Sequence, residues 1–559
     1  MNHRYAQPPP LDLKDRQWPA NQITRAPVWC AVDLRDGNQA LPNPMTPKQK
    51  RRYFQILTEI GFKEIEIGFP SASADDFQFC RDLIEEDLIP DDVTISVLTQ
   101  ARDHLIKRTM EALKGARQAI CHVYIASSEL HMRYVFKKTA AETQQTAVDA
   151  VRMIRDESQK LTGSTIRLEF SPEEFTDTDL DFAVELCDSV VETWAPTPGE
   201  KVILNLPATV ERRPPNQYAD MIEAFIKKQQ QRDSSVISIH SHNDMGCAVA
   251  ASEMTLLAGA DRIEGTLFGH GERSGNVDLV TLALNLQYLG LDTGLDFSRI
   301  EHIRDELVDL TSMPVHARHP YAGELVFTAF SGSHQDAIHK GLTNIEAMRE
   351  HFGGWKIPYL LIDPRDIGRS FEKFIRINSQ SGKGGIAHIL QAEYGVKLPR
   401  TLLLDFSRHV QSLADRSARE VNATEVWNLF KNIYARQDGP VQLLNYWPHP
   451  NADDPSQIDG EVHVKYQGKR HELKASGSGP ISAFARALRQ LPLPTFSLEE
   501  YEEDAIGKSA DAEAVAYVRL DNDEQKSSFG VGFGPNIDQA AVRAIVAALN
   551  GFARQEAQS

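Results

Sequence analysis

The sequence predicts an α/β protein: a parallel (β/α)8 TIM barrel followed by helical subdomains and a C-terminal α+β domain. Eight short β-rich runs lie between residue 28 and about residue 270, with helical patterns between them. Their first residues are 26 to 47 positions apart, which is the spacing of β-α units. Eight such units over about 250 residues are typical of this barrel.

The eight runs are rich in β-branched and apolar residues. They are VWCAVDL (28–34), EIEIGF (64–69), VTISVLT (93–99), AICHVYIA (119–126), IRLEF (166–170), KVILNL (201–206), VISIH (236–240) and RIEGTL (262–267). The stretch TPKQKRRYFQILTEIGF (46–62) has helical periodicity with a glycine stop. A doubly wound open sheet is the alternative, but it often has a Gly-rich loop after the first strand. The first run here continues into DLRDGNQ (33–39), which favours the barrel.

The chain of 559 residues is too long for one hydrophobic core, so we expect several domains. Residues 300–435 are mostly helical in pattern, and a charged, Pro-bearing stretch near 436–458 is interpreted as a linker. The predicted parts are a Pro-rich, poorly structured N-terminal extension (1–27), the barrel (28–306), helical subdomains (307–435) and a C-terminal domain (440–559).

Composition excludes several classes of protein. The formal net charge of −18 argues against nucleic acid or an anionic membrane as the main partner, because both favour a basic face. No apolar run is long enough to span a bilayer. The five cysteines are scattered and form no C-x-x-C pair, which indicates reduced thiols rather than a disulfide framework. We therefore expect a cytoplasmic protein.

Polar residues that can act in catalysis or metal binding follow the predicted strands, and a barrel of this type has its active site at the strand ends. In HSHNDMG (240–246), His240 and His242 lie two residues apart at the end of a strand, so both imidazoles point to one side. The other residues at strand ends are Arg35, Asp36, His122, Tyr124, Glu169, Glu173, Asn205, Thr209 and Asn276. Two imidazoles and a carboxylate at one barrel mouth suit a divalent cation.

Each of these features also has a plainer interpretation. Most single H-x-H motifs are not metal sites. An R-D-G motif is more often a surface turn than part of a functional site. Glu173 follows a Ser-Pro pair and can serve in the first turn of a helix. The functional interpretation therefore depends on all of these residues falling at strand ends in register.

Three motifs, LRDGNQ (34–39), HSHNDMG (240–246) and GERSGNVDL (271–279), resemble a metal-dependent superfamily of barrel enzymes that make or break carbon–carbon bonds. The resemblance continues in IEIGFPSAS (65–73), EFSPEEF (169–175), NLPATVE (205–211) and INSQSGKGG (377–385). With the C-terminal domain included, the chain resembles the long form of the 2-isopropylmalate synthases from about residue 28 to its end.

The resemblance implies that Asp36, His240, His242 and Asn276 are the metal ligands, with Arg35 beside them. Imidazoles favour softer ions, whereas carboxylate, amide and substrate oxygens suit Mg²⁺. We favour Mg²⁺ and keep Mn²⁺ and Zn²⁺ as alternatives.

The implied reaction joins acetyl-CoA, the co-substrate, to 3-methyl-2-oxobutanoate and hydrolyses the thioester, which yields 2-isopropylmalate and CoA. A metal would polarise the ketone, and Arg35 would stabilise the charge that grows on its oxygen. The base is Glu173 or His334. The resemblance implies that His334 is a catalytic residue, with Tyr359 as its companion. The pair would belong to the same subunit or to the partner subunit of a homodimer. From the residues alone, His334 is interpreted as a residue near a helix start.

Residues at the strand ends are expected to bind the oxo acid. They are Leu98, His122, Tyr124, Ser171, Asn205, Pro207 and Thr209. Besides Arg35, Arg167 is the cation at these strand ends, and alternation predicts that it points away from the mouth. A dicarboxylic acid would need a further cation, so we favour the branched monocarboxylic acid. The alternatives are citramalate or homocitrate synthase, a lyase of the superfamily, and a leucine-sensing, metal-binding module without catalysis.

The C-terminal domain contains an internal repeat, at 460–488 and 513–549. Each copy has the pattern strand, turn, strand, G-x-G-P and helix, and its glycines precede the helix: Gly477 and Gly479, then Gly532 and Gly534. Exposed amides beside a helix N-terminus can bind a small carboxylate. A structural turn with tight strand–helix packing is the alternative. The resemblance implies that the ligand is L-leucine, acting as an inhibitor.

Overall fold

Eight parallel strands close into a barrel in chain order, which confirms the predicted fold class. The strands are β1 (Val28–Ala31), β2 (Glu64–Gly68), β3 (Thr94–Gln100), β4 (Gln118–Ala126), β5 (Thr165–Glu173), β6 (Val202–Ala208), β7 (Ser235–Ser241) and β8 (Arg262–Gly265). β1 pairs with β8 as well as with β2, so the sheet leaves no open edge.

A computed structural model describes residues 8–197, 199–328, 332–369, 383–417, 421–507, 512–524 and 526–558. The chain forms two compact units: residues 1–326 with 362–369, and residues 327–361 with 370–559. Of the motif INSQSGKGG (377–385), residues 377–382 lie outside the described residues.

Helices alternate with the barrel strands of the first unit. They are α1 (Pro47–Ile60), α2 (Ala74–Glu85), α3 (Asp103–Ala112), α4 (Ala140–Ser158), α5 (Leu180–Trp194), α6 (Pro215–Lys228), α7 (Ala248–Leu257), α8 (Leu279–Tyr288) and α9 (Ile300–Thr311). Local sequence sets the ends of α1: Thr46 and Gln49 form a capping box. Gly61 ends the helix in a left-handed conformation, where a Cβ would come within 2.5 Å of the Gly294 carbonyl oxygen.

The first strand is shorter than the run of apolar residues suggests. Residues Asp33–Gly37 leave the strand and form a π-helical turn, in which the amides of Asp36 and Gly37 donate to the carbonyl of Val32. π-helical turns are often found at functional sites. This turn places Arg35 and Asp36 at the mouth of the barrel.

The barrel interior contains a buried ion network. Arg262 is fully buried and donates hydrogen bonds to the carboxylates of Glu64, Glu169 and Glu264. Arg167 also contacts Glu64, at 2.7 Å, so it lies on the interior side of β5. Arg167 is not among the residues that line the mouth cavity, so its predicted place away from the mouth is correct, but alternation along the strand is not the reason. Its position near the amino end of β5, rather than its direction, separates it from the mouth.

The N-terminal segment is more ordered than the Pro-rich sequence suggests. Trp18 is buried, and its indole nitrogen donates to Asp220 at 2.8 Å. Arg16 forms a two-pronged ion pair with the same carboxylate, and the amides of Gln17 and Trp18 donate to Glu223. The expectation of a poorly structured lead-in is therefore wrong for these residues, because α6 supplies partners for their polar groups.

The second unit begins with helices, as predicted for the region after the barrel. They are α10 (Gly332–Thr343), α11 (Ile345–Phe352), α12 (Lys383–Tyr394), α13 (Arg400–Ser417) and α14 (Ala423–Tyr434). Apolar side chains of α12 to α14 share one core with Val515, Tyr517 and Val531 from farther along the chain. Their burial therefore depends on the last part of the chain.

Two three-stranded antiparallel sheets, each covered by one helix, form the C-terminal domain and confirm the α+β prediction. The first half has β9 (Val441–Pro450), β10 (Ile458–Tyr466), β11 (Lys469–Gly477) and α15 (Pro480–Leu488). The second has β12 (Phe496–Ile506), β13 (Glu513–Asn522), β14 (Ser527–Gly534) and α16 (Ile537–Gln558). The predicted linker near 436–458 is wrong, because much of it is β9, which pairs with β10. Both prolines of WPHP are tolerated because β9 is an edge strand.

Other predictions from composition concern cysteines and membranes. All five cysteines are free, and four of them are buried. Among the helices of the described residues, none combines the length and the apolar character that crossing a bilayer requires.

Candidate active site

A cavity of about 220 Å³ opens at the carboxyl ends of the barrel strands. It brings together many side chains that the sequence singled out: Arg35, Asp36, Leu98, His122, Tyr124, Ser171, Glu173, Asn205, Pro207, Thr209, His240 and His242. Charged and polar side chains form most of the lining, beside a small apolar wall. Titratable groups gathered in one cleft mark a candidate functional site.

Four further residues line the cavity and were missed: Gln39, Phe69, Glu272 and Arg273. Each lies within a quoted motif, so the motifs were the signal that could have identified them. Arg273 corrects the specificity argument, since it is a further cation at the mouth. Its guanidinium is already engaged, because it donates to Asp244 at 2.6 Å and to the carbonyl of Thr209 at 2.6 Å.

Asp36, His240 and His242 converge at one point of the cavity. Their ligand atoms lie within 4.8 Å of one another, and all three residues are buried. The two Nε2 atoms are 3.2 Å apart, and the Asp36 carboxylate is 3.7 Å from one and 3.9 Å from the other. The spacing of two residues along the end of β7 turns both imidazoles to the same side.

Asn276 supplies a fourth polar group from the loop after β8. Its amide nitrogen donates to Asp36 at 2.7 Å and to the carbonyl of His270 at 2.9 Å. Its buried amide oxygen has no hydrogen-bond partner among the described residues. A buried oxygen without a partner, beside a carboxylate and two imidazoles, is the environment that a bound cation satisfies. These four residues therefore fit a divalent metal.

The protonation states of His242 and Asp36 also suit metal binding. Burial, followed by the neighbouring His240, lowers the pKa of His242 to about 3, so this imidazole is neutral near pH 7. Burial alone would raise the pKa of Asp36, but Arg35 and the two imidazoles outweigh it and lower that pKa to about 2. An anionic carboxylate and a neutral imidazole are the forms that bind metal ions.

Glu264 fixes the orientation of His240. One of its carboxylate oxygens lies 2.9 Å from Nδ1 of His240 and accepts from the side-chain amide of Asn205 at 3.0 Å. Its other oxygen accepts from Arg262 at 2.7 Å. A carboxylate at Nδ1 favours the tautomer protonated there, which leaves the Nε2 lone pair directed at the cavity.

Arg35 is held beside Asp36 by two carboxylates. It donates to Glu66 and, at 2.7 Å, to Asp36. Burial alone would lower the pKa of Arg35, but Glu66 and Asp36 raise it, so the guanidinium stays charged. Glu66 also contacts His122 at 2.7 Å, and the other ring nitrogen of His122 lies 2.7 Å from Ser171. Arg35 and the cavity-lining residues His122 and Ser171 are therefore positioned by one network.

Three family models match the chain: HMGL-like over residues 26–307, alpha-isopropylmalate synthase, post-catalytic domain-like, over 324–391, and LeuA allosteric (dimerisation) domain over 420–553. A 2-isopropylmalate synthase of Rhodospirillum rubrum is 50% identical over 98% of each chain. Enzymes of the same name from Ralstonia nicotianae and Clostridium acetobutylicum are 48% and 46% identical, over 100% and 98% of this chain and 96% and 99% of their own. The chain belongs to the 2-isopropylmalate synthase family. It is therefore a transferase, from a superfamily that depends on divalent metals.

In this 2-isopropylmalate synthase family member, Glu173 is one of three carboxylates that line the cavity, with Asp36 and Glu272. Burial raises its pKa, and the neighbouring Glu174 raises it further. Glu174 has a left-handed backbone conformation, and its amide donates to the hydroxyl of Thr209 at 2.9 Å. The residue that follows β5 is thus tied to the residue that follows β6, next to Glu173 at the cavity wall.

His334 and Tyr359 belong to the second unit, so they lie in a different unit from the cavity residues. Their rings stack with centroids 3.9 Å apart and an angle of 21° between the planes. Both side chains are exposed, and Tyr359 has a positive φ of 62°. Strained residues of this kind often mark functional sites. A catalytic role for the pair stays a prediction.

The glycines predicted to form a regulatory site have a clear packing role. A Cβ on Gly532 would lie 2.0 Å from the carbonyl oxygen of Ala540, and one on Gly477 would lie 2.5 Å from the amide of Ala483. Gly534 is also close to α16, whereas a Cβ on Gly479 would meet nothing within 4 Å. Tight strand–helix packing therefore accounts for three of the four glycines. Leucine binding at these turns stays a prediction.

Proposed function

We propose that this chain condenses acetyl-CoA with 3-methyl-2-oxobutanoate and hydrolyses the thioester, giving 2-isopropylmalate and CoA. This is the first committed step of leucine biosynthesis. The observation that carries the proposal is the convergence of Arg35, Asp36, His240 and His242 on one cavity in a chain with full-length 2-isopropylmalate synthase relatives. In domain terms, we assign catalysis to residues 28–306, a helical connection to 307–435 and regulation to 440–559, with 1–27 as an N-terminal extension.

Asp36, His240, His242 and Asn276 are proposed to hold the metal, for which we favour Mg²⁺ over Mn²⁺ and Zn²⁺. When bound, such an ion supplies Lewis acidity to the ketone and carboxylate oxygens of the oxo acid. Arg35 then donates to the ketone oxygen as negative charge develops on it. One well-placed donor of this kind contributes roughly 3 kcal/mol to transition-state stabilisation.

The remaining cavity residues are proposed to select and orient the oxo acid. Leu98 and Pro207 offer apolar surface for the branched alkyl group. The polar residues on the same wall supply hydrogen bonds to the oxygens of the oxo acid; they are His122, Tyr124, Ser171, Asn205 and Thr209. An apolar pocket distinguishes one methylene group by only about 1–3 kcal/mol, so we expect weak turnover of smaller oxo acids.

Carbon–carbon bond formation requires a base for the acetyl methyl group. The base removes a methyl proton, and the resulting carbanion attacks the ketone carbon as the C=O π bond breaks. The oxygen, now an alkoxide, takes up a proton and becomes a hydroxyl group. Water then attacks the thioester carbon, and CoA leaves as its thiol. We propose Glu173 as the cavity carboxylate that takes part in proton transfer, because burial raises its pKa. His334, with Tyr359 as its companion, is proposed as a further catalytic residue, contributed by the same or a partner subunit of a homodimer.

The test is thiol release from acetyl-CoA with a panel of 2-oxo acids, with and without a chelator. We expect the highest kcat/KM with 3-methyl-2-oxobutanoate, loss of turnover with the chelator and recovery when metal is added. A preference for pyruvate would instead indicate a citramalate synthase. Leucine binding without thiol release from any oxo acid would indicate a sensing module rather than an enzyme.

A further inference from the structure

An exposed apolar segment follows β4 at the mouth side of the barrel. We call residues 130–138 the rim segment; it includes the π-helical turn His131–Phe136. Four of its large apolar side chains are exposed, namely Leu130 (52%), Tyr134 (71%), Val135 (55%) and Phe136 (42%). Contiguous exposed apolar side chains of this kind mark interaction sites.

The rim segment is also positively charged. It contains Arg133, Lys137 and Lys138 and no acidic residue, in a chain with a net charge of −18. Arg133 lies 5.5 Å from the ring centroid of Tyr134 and 3.4 Å from Glu129, just outside the segment. Exposed aromatic rings beside cations form a surface suited to a ligand that combines an aromatic base with phosphates.

Hydrogen bonds tie the rim segment to the cavity wall. His131 contacts the carboxylate of Glu174 at 2.5 Å, and Phe136 packs near the His131 ring, with centroids 5.7 Å apart. The amide of Glu174 donates to Thr209, which lines the cavity. A ligand that begins in the cavity can therefore continue onto the segment over a short distance.

The size of the cavity leaves most of CoA outside it. Its volume of about 220 Å³ is below the range of roughly 300–1,000 Å³ that holds drug-sized ligands. The oxo acid and the acetyl thioester fit these dimensions, whereas the pantetheine arm and the nucleotide must extend beyond the mouth. The nucleotide carries a 5′-diphosphate and a 3′-phosphate, so it needs cations wherever it binds.

We propose that the rim segment binds the nucleotide end of acetyl-CoA. Tyr134 and Phe136 contact the adenine ring, and Arg133, Lys137 and Lys138 pair with the phosphates. Stacking of a base on an aromatic side chain and pairing with phosphates are independent contributions, so each can be removed separately. This inference rests on the proposed function, since acetyl-CoA is the co-substrate there.

The experiment compares two thioesters on the full-length, metal-loaded protein. S-acetylpantetheine has the reacting end of acetyl-CoA but lacks the nucleotide. In the triple variant Arg133→Gln, Lys137→Gln and Lys138→Gln, we expect KM for acetyl-CoA to rise about tenfold, equivalent to roughly 1.4 kcal/mol. The kinetic constants for S-acetylpantetheine and the KM for the oxo acid should stay within about twofold of wild type. Tyr134→Ser should show the same selectivity.

The choice of substitution and of control variant separates the loss of positive charge from other effects of mutation. Lys137 has a positive φ of 55°, a conformation that is strained for any residue with a side chain. Glutamine replaces one long side chain by another, so the backbone strain at this position stays the same. The control is Lys160→Gln, which removes an exposed cation just after α4. That helix runs back from the mouth, so its C-terminal end lies at the opposite face of the barrel. We expect the control to leave both thioesters unaffected.

Direct binding of CoA, measured by calorimetry, separates this inference from the proposed function. If the wild type binds CoA and the triple variant does not, the rim assignment holds even when no oxo acid supports thiol release. Equal losses with acetyl-CoA and S-acetylpantetheine would overturn it. A changed sedimentation coefficient in the variants, with CoA binding intact, would also overturn it and would identify the segment as a contact between subunits.

Discussion

His240 and His242 direct their Nε2 atoms at each other across 3.2 Å, with the Asp36 carboxylate within 4 Å of both. The Glu264 carboxylate at Nδ1 favours a lone pair on Nε2 of His240, and the lowered pKa of His242 leaves its imidazole neutral, the form that a metal ion binds. Two such nitrogens and a carboxylate form a stable group when a cation lies between them. This relationship is the basis of the first prediction.

His242→Ala should abolish tight metal binding and remove most thiol release, while the barrel stays folded. The side chain lies just after β7 at the cavity and does not belong to the apolar core, so its loss should remove a ligand rather than packing. Bound metal is measured by elemental analysis and folding by thermal melting. His302→Ala, an exposed histidine on α9, is the control. Bound metal and turnover near the wild-type level in His242→Ala would contradict the assigned site.

Arg35→Ala should lower kcat far more than it raises KM for the oxo acid. The guanidinium is fixed beside Asp36 and Glu66, where it can act on charge that develops during attack. Loss of one such donor corresponds to roughly 10²–10³-fold in kcat. Steady-state kinetics with varied 3-methyl-2-oxobutanoate measure both constants. An effect confined to KM would assign Arg35 to ground-state binding instead.

Glu264→Gln should weaken metal binding by about 10- to 100-fold, because it removes the negative charge that orients His240. The matched control is Glu64→Gln, which also removes a buried carboxylate partner of Arg262. Dissociation constants are measured by competition with a chelating dye. If both variants lose metal affinity equally, the effect is a general loss of the ion network rather than orientation of His240.

His334→Ala in the full-length protein should lower kcat with little change in metal affinity. His334 lies in the second unit, stacked on Tyr359, and the family resemblance implies a catalytic role for it, as proposed above. His339→Ala on the same helix, α10, is the control. Equal kinetic constants for His334→Ala and wild type would remove α10 from the mechanism.

Gly479→Val should reduce inhibition by leucine without loss of stability. A Cβ at this position meets nothing within 4 Å, and φ is −173°, so the backbone accepts any residue. Gly532 is unsuitable, because its substitution would disrupt packing against α16. Deletion of 440–559 is also unsuitable, since α12 to α14 share a core with that domain. We expect about a tenfold higher leucine concentration for half inhibition. Unchanged inhibition would place the effector elsewhere.

The sequence by itself determined the barrel and most of the residues at its mouth. Strand runs and helical periodicity are local properties, so they can be recognised without knowledge of the fold. The i, i+2 spacing of His240 and His242 fixes their common direction for the same reason. Once a parallel barrel is predicted, all strand ends meet at one face, and residues far apart in the chain are expected together.

Only the tertiary structure decided which distant groups contact each other. Asn276 and Asp36 are 240 residues apart and form a hydrogen bond. Arg262 is fully buried, and two of its three carboxylate partners, Glu64 and Glu169, come from other strands, a compensation that no local pattern reveals. β9 is a strand despite its prolines because β10 supplies hydrogen-bond partners on one side. Local propensity describes a segment in isolation, whereas burial and pairing depend on neighbours that the folded chain brings together.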